Sequence, residues 1–228
     1  MKTVLKVTLL FLVLQICLAI FTGLSAAEIP LLPGGDKDPG IWLNGWVGAF
    51  IYPGFTAFVL FYSFIDTLFS RKRKPSYFDR FYPPFIYVPV VYSFVLQVSA
   101  TLGGMKLITP HIDQFILTSG AMIILLGNIF PRVPYKSLNG LPLPWVFRSE
   151  KVWRKTHRFT GFSWVGAGAL CIIYVVFDTG IQTQGMARQV LIIVRWIVVA
   201  LVIFPFPYSY FIYRKTRVNR GTPDSDVP

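Results

Sequence analysis

The chain has 228 residues, of which 54% are hydrophobic, 17% aromatic and only 14% charged, with a mean hydropathy of +0.57. Soluble domains carry about 25% charged residues, so this composition excludes an ordinary soluble fold and points to an integral membrane protein. The net charge of +12 is divided among several segments at the ends of apolar runs, which argues against direct nucleic-acid binding.

A spanning helix needs about 20 mostly apolar residues, and six runs qualify. The first covers residues 4–24. It also has the form of a signal peptide, with Lys2 and Lys6 ahead of an apolar stretch and Ser25 and Ala27 before a cut site; its length favours a retained helix. A Pro/Gly/Asp-rich loop, IPLLPGGDKDPG, follows. The second run, 46–69, is stopped by RKRKP, and Asp66 near its end reads as an interfacial carboxylate beside those bases. The third covers 84–102 and ends at Gly-Gly. The fourth, 114–130, begins just after His111 and is stopped by PRVP. Gln97 and Asn128 are polar residues of runs three and four, suited to interhelical hydrogen bonds.

Residues 131–158 form the one long connection. Asn-Gly and several prolines mark turns. Ser149 is placed to cap a helix, Glu150 suits its first turn, and Glu150 and Arg154 form an i,i+4 pair. Trp145, Phe147, Val152, Trp153 and Phe159 supply an apolar side. This pattern predicts a short amphipathic helix lying at the membrane interface before turning into the fifth run, 159–177. The sixth run, 189–213, contains Arg195, the one clear intramembrane charge. Asp178 and Asp113 are its candidate partners, unless its long side chain snorkels to the interface. Phe-Pro-Phe-Pro at 204–207 predicts a kink that frees backbone carbonyls. From Arg214 the tail is polar and reads as disordered.

Eighteen of the 22 Lys and Arg residues fall on one side of this arrangement; only Lys37, Lys106 and Arg188 fall on the other, and Arg195 lies within a span. The positive-inside rule then places both termini and the 131–158 loop in the cytoplasm. Cys17 and Cys171 sit in apolar runs and read as small buried side chains. His111 and His157 are assigned to opposite ends of the spans, too far apart to share a metal or haem. No nucleophile elbow, phosphate loop or Cys/His cluster is present, so no catalytic residue, metal site or cofactor is expected.

The stretch GNIFPRVPYKSLNGLPLPWVFRSEKVWRKTHRFTGF, residues 127–162, resembles the signature of the SdpI family of bacterial membrane proteins. The matching positions are Gly127, Asn128, Pro131, Arg132, Gly140, Pro144, Trp145, Ser149, Trp153, His157 and Gly161. The family commonly has Gly-Ile-Arg-Thr-Pro-Trp-Thr where this chain has GLPLPWV, so Pro142 stands in place of the Arg and Val146 in place of the last Thr. The N-terminal part is only loosely like the domain that often precedes this one.

The resemblance implies a multi-pass protein of the bacterial inner membrane that gives immunity to a secreted, membrane-active peptide toxin. It also implies signalling in which such a protein holds a cytoplasmic repressor at the membrane. The expectation is thus an all-α, six-span bundle. A two-span N-terminal region (1–83), a four-span region (84–213) and a tail (214–228) make it up. Partners would be membrane lipids, a toxin on the outer side and a repressor on the inner side. The motif residues above, with Glu150 and Arg154, are the candidate partner site; Arg195, Asp178, Asp113 and Gln97 are the candidate polar site in the membrane. The oligomeric state stays open. A small transporter or lipid-handling protein is the alternative, favoured if one polar track joined Arg195, Gln97 and Asn128. A membrane enzyme around Trp145, Arg154 and His157 is the second alternative.

Overall fold

The computed structural model describes residues 2–34, 40–70, 82–137, 139–180 and 186–218. Among the described residues, seven α-helices and one hairpin follow in chain order: α1 (Lys2–Ser25), β1 (Glu28–Leu32), β2 (Ile41–Asn44), α2 (Gly45–Ser70), α3 (Tyr82–Gly104), α4 (Ile112–Ile129), α5 (Glu150–Gly180), α6 (Met186–Ile203) and α7 (Pro205–Val218). The fold is an all-α bundle. Helices α1 to α5 are each long and apolar enough to cross a membrane, and α6 with α7, bent by 43° at the break between them, is so when the two are taken together. The outward faces carry large apolar side chains such as Phe58, Phe61, Phe64, Val176 and Trp196. Lipid, unlike water, favours such faces.

The bend has the cause expected from Phe-Pro-Phe-Pro. Pro205 has no N–H, so Leu201 loses the helix donor its carbonyl would otherwise accept from. Ser163 Oγ on α5 donates to that carbonyl instead, and the Trp164 indole N–H reaches Val202 O at 3.4 Å. The kinked pair is therefore tied to α5 at its bend.

Two departures concern the ends of elements. The loop after α1 contains an antiparallel hairpin, with Glu28 opposite Asn44 and Ile29 opposite Leu43. Ile29 is buried against α1, α2 and α3. Arg214 and Lys215, read as the start of a disordered tail, lie in α7. The basic run at residues 71–74, the loop acids Asp36 and Asp38, and the tail beyond residue 218 lie outside the described residues.

Helix α3 packs on α1 and α2 and also on α4, while α5 packs on α4, α6 and α7. The bundle thus has two ends. The hairpin, the α3–α4 turn and the start of α6 lie at one. The 131–149 loop, the start of α5 and the end of α7 lie at the other, the basic end.

Candidate functional site

The signature residues are assembled at the basic end by an unusually close helix pair. A Cβ added to Gly127 on α4 would lie 3.0 Å from Gly161 O, and one added to Gly161 on α5 would lie 2.7 Å from Gly127 O and 2.6 Å from the Pro131 ring. One seven-residue step along, Gly120 and Gly168 face each other in the same way. Small residues let antiparallel backbones touch. This contact brings the end of α4 against the start of α5, and the chain between them folds over the junction.

Helix α5 is continuous for 31 residues. This corrects the expectation of a separate helix lying along the interface. At 1.5 Å per residue it is about 46 Å long, well beyond the roughly 30 Å of a hydrocarbon core. Its first turns extend the span rather than turn away from it. Ser149 precedes it in extended conformation, and its carbonyl accepts from the Trp153 N–H at 2.9 Å.

Trp153 and His157 are each only 1% exposed, so neither anchors the chain in lipid headgroups. Their rings stack at 3.9 Å between centroids. The Trp153 indole N–H donates to Val133 O at 3.0 Å. His157 Nε2 accepts from the Leu141 N–H at 3.0 Å. With Nε2 accepting, Nδ1 carries the proton and donates to Trp153 O at 2.9 Å, which is the neutral tautomer. Gly140 leaves the space for this ring: a Cβ there would stand 2.2 Å from His157 Nε2. Phe130, Phe147 and Tyr135 enclose the pair with further ring contacts.

The loop is then tied to itself and to two other helices. Within it, the Tyr135 hydroxyl donates to Phe147 O at 2.5 Å. The Trp145 indole N–H donates to Ser209 Oγ on α7 at 2.9 Å, and Arg148 reaches the Tyr213 hydroxyl at 3.0 Å. Asn139 Nδ2 donates to Asp66 Oδ2 on α2 at 3.0 Å. Asp66 is fully buried, so it is not the interfacial carboxylate read from the sequence but a load of the loop on the N-terminal helices. Asn139, Tyr135 and Ser209 are the residues that sequence reasoning passed over, and Asp66 is the one it placed wrongly. Asn-Gly was read only as a turn, and nothing local marks a contact made 73 residues away.

The signature set therefore divides. Gly127, Ser149, Trp153, His157 and Gly161 are buried; Asn128, Pro131, Pro144, Glu150 and Arg154 are exposed, and Gly140 and Trp145 are between. Arg154 pairs with Glu150 at 2.6 Å, both well exposed. With Lys151, Lys155 and Arg158 they make the exposed side of the first turns of α5.

Of the second expected set, Gln97, Asp113 and Arg195 each have their own neighbours. Gln97 belongs to the α1–α2–α3 interior, where its Nε2 donates to Gln15 O at 2.8 Å. Asp113 Oδ2 lies 3.0 Å from His111 Nδ1. Arg195 is exposed, with its guanidinium 6.0 Å from the Tyr174 ring centroid. The side chain of Asp178 lies outside the described residues. No single polar track links Arg195, Gln97 and the exposed Asn128 among the described residues.

Two grooves adjoin these features. One of about 220 Å³ runs between α2, α3, α4 and α5 beside the corner, with Tyr62, Ser63, Asn139 and Gly140 among its lining residues. The other, of about 300 Å³, lies at the hairpin end between β1, α2, α3 and α4. No group of three or more His, Cys, Asp or Glu residues that could hold a metal stands together among the described residues.

No curated protein and no solved structure matches the chain. The model of the SdpI/YfhL protein family matches residues 132–209. The match runs from the start of the loop through the Trp153–His157 corner and α5 to Ser209, the α7 partner of Trp145. Over that stretch, about a third of its length, the chain is similar to the SdpI/YfhL protein family, on a helical bundle whose helices are long and apolar enough to cross a membrane.

Proposed function

We propose that this chain is a non-enzymatic immunity and signalling protein of the bacterial inner membrane. In this reading it guards its cell against a membrane-active peptide and passes that engagement to a cytoplasmic repressor. The family match over residues 132–209 is the observation that carries it. The basic end faces the cytoplasm, in keeping with its Lys and Arg excess, and the hairpin end faces outward.

The division of the signature supports a specific assignment of roles. The buried residues hold the corner, and the exposed stripe of Lys151, Arg154, Lys155 and Arg158 is the surface left for a cytoplasmic partner or for anionic headgroups. On the opposite face, the groove of about 300 Å³ beside the hairpin is the surface an arriving peptide meets. That same groove, lined by Leu96, Phe115 and Leu117 with Tyr52 and Gln114, also favours the second reading, a protein that handles lipid.

Survival tests the proposal. A sensitive bacterium expressing the chain is challenged with membrane-active peptides encoded near its gene. Protection that is lost in Leu31→Asp, at the groove, supports immunity from the outer face. Full insertion with no protection against any peptide removes the immunity reading and leaves lipid handling.

A further inference from the structure

At mid-depth in the α1–α2–α3 unit, three oxygens have no hydrogen-bond partner among the described residues: Gln15 Oε1, Thr56 Oγ1 and Gln97 Oε1. One comes from each helix. The three residues are at most 1% exposed. Their neighbours fix how they point. The Ser93 hydroxyl donates to Tyr52 O at 3.1 Å, so toward Gln15 it can only accept, from Nε2 at 3.2 Å. Gln97 Nε2 faces the Gln15 backbone carbonyl at 2.8 Å, which also can only accept. Both amide oxygens are therefore the free ends, whichever way an amide might otherwise be turned.

Thr56 is explained by the same network. A threonine inside a helix commonly donates to the carbonyl four residues back, as Thr8 does to Val4 O and Thr22 to Leu18 O. For Thr56 that carbonyl is Tyr52 O, which already accepts from Ser93. The count is two acceptors and one hydroxyl donor, on one connected network.

We propose that these three groups form an enclosed site for a single water molecule. The water donates to Gln15 Oε1 and Gln97 Oε1 and accepts from the Thr56 hydroxyl. Interior waters make about three hydrogen bonds to groups that would otherwise be unpaired, and here the number and the polarity both close. A metal cation fits worse. The oxygens are neutral, the network holds no carboxylate, and the chain already carries a net charge of +12. Val90 is fully buried, with Phe11 and Val59 packed against its cluster. Ala19, Ala100 and Tyr52 pack on the hairpin side. One water thus links three helices at a depth where bulk solvent cannot replace it.

Reversible unfolding of the full chain in lipid bicelles tests this. Thr56→Val is nearly isosteric and removes only the hydroxyl. A bridged water predicts a shift of the unfolding equilibrium toward the unfolded state by roughly fivefold or more, the effect of stranding buried partners. Thr56→Ser, which keeps the hydroxyl, stays close to wild type. A dry site predicts the opposite sign, because Thr56→Val then deletes an unpaired hydroxyl; unchanged or raised stability overturns the proposal.

Thr56→Val combined with Gln97→Met gives a second reading that survives a large single effect. The two side chains share no direct bond, so a dry core predicts additive shifts and a shared water predicts roughly threefold or greater non-additivity. Melting in NaCl against choline chloride separates the guest. Equal melting in both salts supports water. Stabilisation by sodium that disappears in Thr56→Val identifies a cation and overturns it.

Discussion

The N-terminal three-helix unit and the family segment both bury polar groups in an apolar chain, yet they satisfy them differently. In α1–α3 many of the bonds run between different helices, from side chain to side chain or from side chain to backbone. Gln15 meets Ser93 and Thr22 meets Thr101 across 78 and 79 residues. In the 131–161 corner, aromatic ring nitrogens bond to backbone groups close in sequence. Trp153 meets Val133 across 20 residues and His157 meets Leu141 across 16. A corner built from near neighbours leaves a compact signature in the chain, with fixed spacing. A bundle held by distant pairs leaves only scattered Thr, Ser and Gln. The signature is thus a record of local folding, and its most conspicuous residues are those farthest from any surface.

That contrast can be broken or sharpened by substitution. The largest effect belongs to Trp153→Ala, which empties the centre of the corner. It should cost about 3–5 kcal/mol in unfolding free energy, measured by reversible denaturation in bicelles. Stability unchanged from wild type would remove the corner from the account. Next comes Asn139→Leu, which leaves the Asp66 carboxylate buried with its loop partner gone. A loss of about 1–3 kcal/mol is expected, together with faster proteolysis between α4 and α5. If the loop stays protected, Asp66–Asn139 is not what joins the two regions.

Gly161→Ala presses on both Pro131 and the α4 backbone. Overpacking of this kind costs about 1–3 kcal/mol, and a melting curve reads it directly. The smallest effect is that of Lys151→Gln on the exposed face of α5, where stability should move by no more than about 0.5 kcal/mol. A stable Lys151→Gln that loses signalling would mark this face as the partner surface. One with a collapsed melting point would show that the face is structural after all.

Much of the bundle was legible before any coordinates. Each span announces itself by an apolar run near 20 residues, and the bend at Phe204 follows from two prolines in one turn. The start of α5 was misread because Lys151, Arg154, Lys155 and Arg158 dominate its composition. Their spacing puts them on one side, and Val152, Trp153, Thr156, His157, Thr160 and Gly161 form the buried side of the same helix. That period was present in the sequence and continues unbroken into the span. The hairpin was less accessible, because strands of five and four residues flanking a Gly/Pro-rich loop carry little pattern. Asp66 with Asn139, and Gln15 with Ser93 and Gln97, had no local signal at all; only the packing of distant helices creates those pairs. Arg195 drew attention as an intramembrane charge, but an exposed position beside Tyr174 gives a long guanidinium side chain room to reach the interface.

The claim most in need of a direct test is that His157 acts by holding the corner rather than by meeting a partner. His157→Phe keeps a flat ring against Trp153 but can neither accept from Leu141 nor donate to Trp153 O. Its unfolding free energy in bicelles is the measurement to make. The account predicts a loss of about 1–3 kcal/mol, the cost of stranding a buried N–H and a buried carbonyl, with any loss of function following the loss of folded protein. A His157→Phe protein as stable as wild type but unable to function would contradict it and make His157 a contact residue.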